Sequence, residues 1–133
     1  MLKRISHLYK HNSIGIAIII TILIVYLSLS NINSIKTVNF NHIDKYQHSL
    51  AYFSLMISWL LVSQKLNKKI FRYWMVLSVF LLGVLMEILQ QLLTTDRQAD
   101  LFDVFANTSG IIVAYIVFEK VIFKGFKEFL TKA

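Results

Sequence analysis

Four long apolar runs, separated by short polar connections and free of proline, constrain this chain more than any other feature of it. They cover residues 14–29, 46–63, 70–93 and 101–123. Crossing a bilayer core takes roughly 20 residues of helix at about 1.5 Å each, and every run is near or above that length. In hydrocarbon each backbone N–H and C=O must be satisfied within the segment, which leaves the helix as the form such runs take. Without proline, nothing in the runs forces a kink or a break. The connections at residues 31–44, 64–69 and 94–100 are short, so successive helices should be antiparallel neighbours. The expected fold is all-α: one integral membrane four-helix bundle over residues 1–133, with helices at about 13–30, 46–63, 70–93 and 101–123.

Composition agrees with a membrane chain. Hydrophobic residues make up 56% of the 133, above the roughly 45–50% of soluble domains. The lack of cysteine removes disulfides, thiolate metal sites and cysteine nucleophiles. The net charge of +7 lies beside the apolar runs rather than on a soluble face, and there it reads as a topology signal. Nucleic acid is therefore not an expected partner, whereas the lipid bilayer is. Lys3, Arg4 and Lys10, then Lys65, Lys68, Lys69 and Arg72, then Lys120, Lys124, Lys127 and Lys132 account for eleven of the 14 basic side chains. The other side keeps only Lys36, Lys45 and Arg97. Both termini should accordingly be cytoplasmic. Ser28-Leu29-Ser30 resembles a signal cleavage site, but the run before it is long and three more follow, so a retained first helix is expected.

With that topology the acidic side chains gather at the opposite, outer end. Asp44, His48 and Tyr52 recur at i, i+4 and i+8 along one helix face. Glu87 shares a face with Gly83 and with Gln90 or Gln91. Asp100, Asp103, Asn107, Gly110 and Ala114 recur at alternating steps of three and four, polar at the start and small-residue further in. Three faces read separately reach one depth, and the connection between the second and third supplies Arg97. Ionisable groups at membrane depth are costly and commonly mark function, although the same residues could serve as interhelical glue. We expect Asp44, Lys45, His48, Tyr52, Glu87, Gln90, Arg97, Asp103 and Asn107 to form one polar site, with His48, Glu87 and Asp103 close together.

Other features carry less. His7 and His11 are spaced i, i+4, but in a basic tail. Trp59, Tyr73 and Trp74 fall near the inner boundary, where interfacial anchoring is the ordinary role. Glu119-Lys120 is expected to be an exposed or snorkelling pair at that boundary. No phosphate-cradling glycine loop, HExxH motif or GxSxG elbow is present.

The segments Asp44-Lys45-x-x-His48-x-x-x-Tyr52, Gly83-x-x-x-Glu87-x-x-Gln90, then Arg97 and Asp103-x-x-x-Asn107-x-x-Gly110 together resemble the VanZ-like family of bacterial membrane proteins, named for a member linked to glycopeptide (teicoplanin) resistance. The resemblance covers residues 42 to about 114. It implies a multi-pass protein of the bacterial cytoplasmic membrane with a cell-envelope role, and it brings no established reaction or ligand. Gln91 could stand in for Gln90 in this pattern, and Asp100 falls in the stretch between Arg97 and Asp103.

Three functions remain open. In the first, the outer-face cluster binds a polar headgroup, a cell-wall precursor or a glycopeptide-type amphiphile without turnover, which suits Lys45 and Arg97 set among carboxylates. In the second, a membrane enzyme uses His48 or Glu87 as general base, with Asp103 or Asp44 orienting it or holding a divalent cation. In the third, the chain is a structural or partner subunit with a polar seam. No cofactor is required; hard oxygen ligands plus one histidine would suit Mg, Mn or Zn if a cation were held. Transport is disfavoured, because a one-sided cluster in four helices offers no path across unless the chain oligomerises.

Overall fold

The computed structural model describes residues 2–30, 43–64, 69–93 and 100–122, with side chains described from residue 12 onward. The elements are α1 (Leu2–Leu29), α2 (Ile43–Ser63), α3 (Lys69–Leu93) and α4 (Leu101–Val117), and α4 runs into a π-helical turn at Phe118–Ile122. All regular structure among the described residues is helical. Helix α1 begins earlier than expected, since nothing between Leu2 and Asn12 is glycine or proline. Helix α2 also begins earlier, which takes Asp44 into its first turn. At the end of α4 the Phe118 N–H is shared between the Ala114 and Tyr115 carbonyls, where the helix widens.

Three helical stretches are long and apolar enough to cross a membrane: residues 12–29, 69–93 and 101–121. The exception is α2, whose first turns carry Asp44, Lys45, Gln47 and His48, and which has serines at 49, 54, 58 and 63. Its position in the bundle accounts for this. Helix α2 packs against all three others, and its Tyr52, Leu55, Met56 and Leu60 are at most 1% exposed. A helix enclosed by protein can carry polar groups that a lipid-facing helix cannot. Ser58 and Ser63 donate to the Leu55 and Leu60 carbonyls one turn back, at 2.7 and 2.6 Å, which satisfies their hydroxyls locally.

Contacts fix the helix directions. His48 meets Asn107 and Ser49 meets Ser109, so α2 and α4 run parallel. Helix α3 runs against both, its Gly83 facing Tyr52 and its Arg72 pairing with Glu119. The core joins Leu55, Met56 and Leu60 to Val79, Ile111, Ala114, Phe118 and Ile24. Ile19, Ile22, Leu81, Leu92, Phe102 and Phe105 point outward, as a lipid-facing surface requires.

Of the residues expected near a membrane boundary, one gains a partner and one is corrected. The Trp59 indole N–H donates to Thr21 Oγ1 of α1 at 3.1 Å, which satisfies its polar edge within the bundle. Glu119 is not an exposed pair with Lys120, but binds the buried Arg72 guanidinium of α3. Tyr73 and Trp74 do stay exposed, with Tyr73 stacked on Tyr115 at 6.4 Å.

Candidate functional site: a polar centre where three helices meet

The start of α2, the end of α3 and the start of α4 bring their polar faces together at one end of the bundle. Lys45 is the bridge between α2 and α4. Its ammonium lies 2.6 Å from Asp100 Oδ2 and also binds Asp103 Oδ1. Asp100 caps α4 as well, accepting from the Phe102 N–H at 2.9 Å. The Lys45 ammonium, followed by that N–H, holds the Asp100 carboxyl below the usual carboxylate range. Asp44 and Asp103 sit in the first turns of two parallel helices. Both N-terminal dipole ends therefore favour their negative charge.

His48 is the centre of the arrangement. Its Nδ1 is in hydrogen-bond contact with Asn107 Oδ1 at 3.1 Å and lies 3.8 Å from Glu87 Oε1. Nε2 faces Asp44 Oδ1 at 3.8 Å. One ring atom of His48 and one oxygen each of Asp44 and Asp103 lie within 4.8 Å of one another, a spacing that could hold a metal ion.

Glu87 differs from the other carboxylates. It is only 4% exposed, lies in the body of α3 away from any helix N-terminus, and forms no hydrogen bond through either oxygen among the described residues. The Asp100 backbone N–H is turned toward it without closing a bond. The Tyr52 hydroxyl and the Asn107 Nδ2, both buried, are likewise unbonded there. Buried polar groups are nearly always paired, and each unpaired one costs about 1–3 kcal/mol. Three such groups gather around one imidazole.

Of the residues expected at the site, Asp44, Lys45, His48, Tyr52, Glu87, Asp103 and Asn107 lie around this centre. Gln90 is buried while Gln91 is exposed, so the face of α3 belongs to Gln90. Its amide donates to the Ser28 carbonyl at 3.0 Å, a group in the last turn of α1 that has no partner within the helix. Arg97 lies outside the described residues, as do the side chains of His7 and His11. Sequence reasoning missed Ser49 and the role of Gly110. A Cβ at Gly110 would lie 2.1 Å from the Ser49 carbonyl oxygen, so α4 crosses α2 in backbone contact just beneath the centre. The clue was a serine directly after His48, on the side of α2 that must admit a glycine.

No curated protein and no solved structure shows significant similarity to the chain. A family model described as VanZ/LLP1 matches residues 10–124, which takes in all three faces of the centre together with most of α1. By that match over most of its length, the chain belongs to the VanZ/LLP1 family.

Proposed function

We propose that the protein is a multi-pass component of the bacterial cytoplasmic membrane that binds the polar end of an amphiphile at the outer face, without turning it over. Glu87 is the observation that carries this reading: a carboxylate 4% exposed, with neither oxygen hydrogen-bonded among the described residues. Around it stand Asp44, Asp100 and Asp103, with Lys45 already paired to two of them. Such a surplus of acceptors suits a donor-rich, positively charged group, such as the amine of a lipid headgroup, of a lipid-linked cell-wall precursor or of a glycopeptide-type amphiphile. The membrane supplies the apolar part of the ligand, and half-exposed Asp44 is within reach of the polar part.

The test is native mass spectrometry of the protein purified in mild detergent, with the amphiphiles it retains identified after release. Wild type should carry amine-bearing species, and Glu87→Gln should lose them while unfolding at the same temperature. Equal retention by Glu87→Gln would sink the proposal. A second reading, a membrane enzyme with His48 as general base, is favoured by the carboxylates 3.8 Å from each of its ring nitrogens. Time-dependent chemical change of a retained species would select it.

The four-span topology with both ends cytoplasmic rests on the Lys/Arg asymmetry. Cysteine replacing Leu101, 75% exposed beside the polar centre, should react with an impermeant thiol reagent added to intact cells. One replacing Lys69, at the other end of α3, should react only after the cells are opened. The reverse pattern would invert the protein.

A further inference from the structure

We propose that Asp44, His48 and Asp103 form a binding site for one divalent transition-metal ion, with Glu87 and Asn107 as its supporting shell. The geometry is the starting point. Asp44 and His48 are one turn apart on α2, Asp103 faces them from α4, and one donor atom of each lies within 4.8 Å of the others. Bonds of about 2.0–2.2 Å would bring the donors roughly 3–4 Å apart. Asp44, with its side chain 50% exposed, is free to swing by that amount.

The two sides of the His48 ring supply an independent observation. Nδ1 lies 3.1 Å from Asn107 Oδ1, and with Nδ1 as the donor in that contact the Nε2 lone pair is on the side of Asp44. Glu87 faces the Nδ1 side at 3.8 Å, 4% exposed and with neither oxygen hydrogen-bonded among the described residues. A histidine that ligates a metal through one nitrogen typically gives the other N–H to a carbonyl or carboxylate, which orients the ring and raises its basicity. Asn107 and Glu87 are placed for that role.

Charge agrees. Asp44, Glu87, Asp100 and Asp103 stand against the single ammonium of Lys45 among the described residues, and a dication offsets most of the surplus. Asp103 gives one oxygen to Lys45 and has a second for a metal. The mixed set of one imidazole and two carboxylates fits Zn2+ or Mn2+ better than Ca2+, which takes six to eight oxygens. Three protein ligands leave positions open to water or to an anionic group. The site shares Asp44, Asp103 and Glu87 with the amphiphile reading, and it is tested without any amphiphile added.

The full-length protein, stripped with a chelator in detergent, is titrated with Zn2+ and with Mn2+, and bound metal is counted per chain. One equivalent of at least one of these ions should bind. Asp44→Asn, at an exposed position where folding is undisturbed, should weaken binding by about tenfold or more, and Glu87→Gln by about 10–100-fold. With Co2+ as the probe, His48→Gln should alter the visible d–d bands by removing the nitrogen ligand. Replacing both His7 and His11 by alanine should leave binding intact. Absence of stoichiometric binding by the wild type, undiminished binding in Asp44→Asn, or loss in the His7/His11 variant would each overturn the assignment.

Discussion

Gly110→Ala is expected to be the most damaging single-methyl change in the protein. The added Cβ would lie 2.1 Å from the Ser49 carbonyl oxygen and 3.0 Å from the Phe53 nitrogen and the Ser49 carbonyl carbon. All three are backbone atoms of α2, so no rotamer change relieves the clash and the helices themselves must separate. Separation would also stretch the Lys45–Asp103 and His48–Asn107 contacts on the same seam. Overpacking a well-filled site costs about 1–3 kcal/mol, occasionally more, and the loss of these pairings places Gly110→Ala at or above about 3 kcal/mol. Two other glycines set the scale. A Cβ at Gly83 would meet Tyr52 Cε1 at 3.1 Å, a side-chain atom that can yield, so Gly83→Ala should cost about 1 kcal/mol. A Cβ at Gly15 meets nothing within 4 Å, and Gly15→Ala should be neutral or stabilising by up to about 1 kcal/mol. Reversible unfolding of the three variants in mixed micelles, followed by circular dichroism, gives the order. If Gly110→Ala were as stable as Gly15→Ala, α2 and α4 could not cross as closely as they do.

The helix faces were legible in the sequence because periodicity along one helix needs no knowledge of the others. The buried set of α4 is Asp103, Asn107, Gly110, Ile111 and Ala114, the seam that steps of three and four mark out with one isoleucine added. The buried Gly83, Glu87 and Gln90 of α3 follow the same logic. Periodicity could not show the register between helices. Lys45 reaches Asp100 and Asp103 across more than 50 residues of chain because α2 and α4 happen to align at the Gly110 crossing. Only the length of the lysine side chain hinted at that reach.

Hydropathy undervalues a helix where burial by protein replaces burial by lipid. Helix α2 is the least apolar of the four, yet it occupies the middle of the bundle, so a scale tuned to lipid exposure undervalues it. Trp59 and Glu119 were expected near a membrane boundary from their place along the runs, which could not show that Thr21 and Arg72 lie beside them on other helices. Opposite charges at matching ends of antiparallel neighbours were the available signal for the second pair.

That pair leads to the second large expected effect. Arg72 is 4% exposed, with its guanidinium bound to Glu119 and lying 5.9 Å over the Phe118 ring, whereas the Glu119 side chain is 28% exposed. The two partners therefore differ in what their loss leaves behind. Glu119→Leu would take the carboxylate from a guanidinium that cannot be deprotonated and is only 4% exposed, and breaking a buried pair in this way costs about 3–5 kcal/mol. Arg72→Met would leave a carboxylate that can turn to solvent or take up a proton, so its cost should be smaller, on the order of 1–2 kcal/mol after the lost contact with Phe118 is included. The double variant removes both charges and fills the site with apolar atoms of similar volume. It should recover most of the stability lost by Glu119→Leu, since apolar replacement of a whole buried pair is often neutral. A double-mutant cycle on unfolding free energies reads all three values. Equal damage from the two single variants, or a double variant no better than Glu119→Leu, would mean that the buried guanidinium does not depend on Glu119 for its compensation.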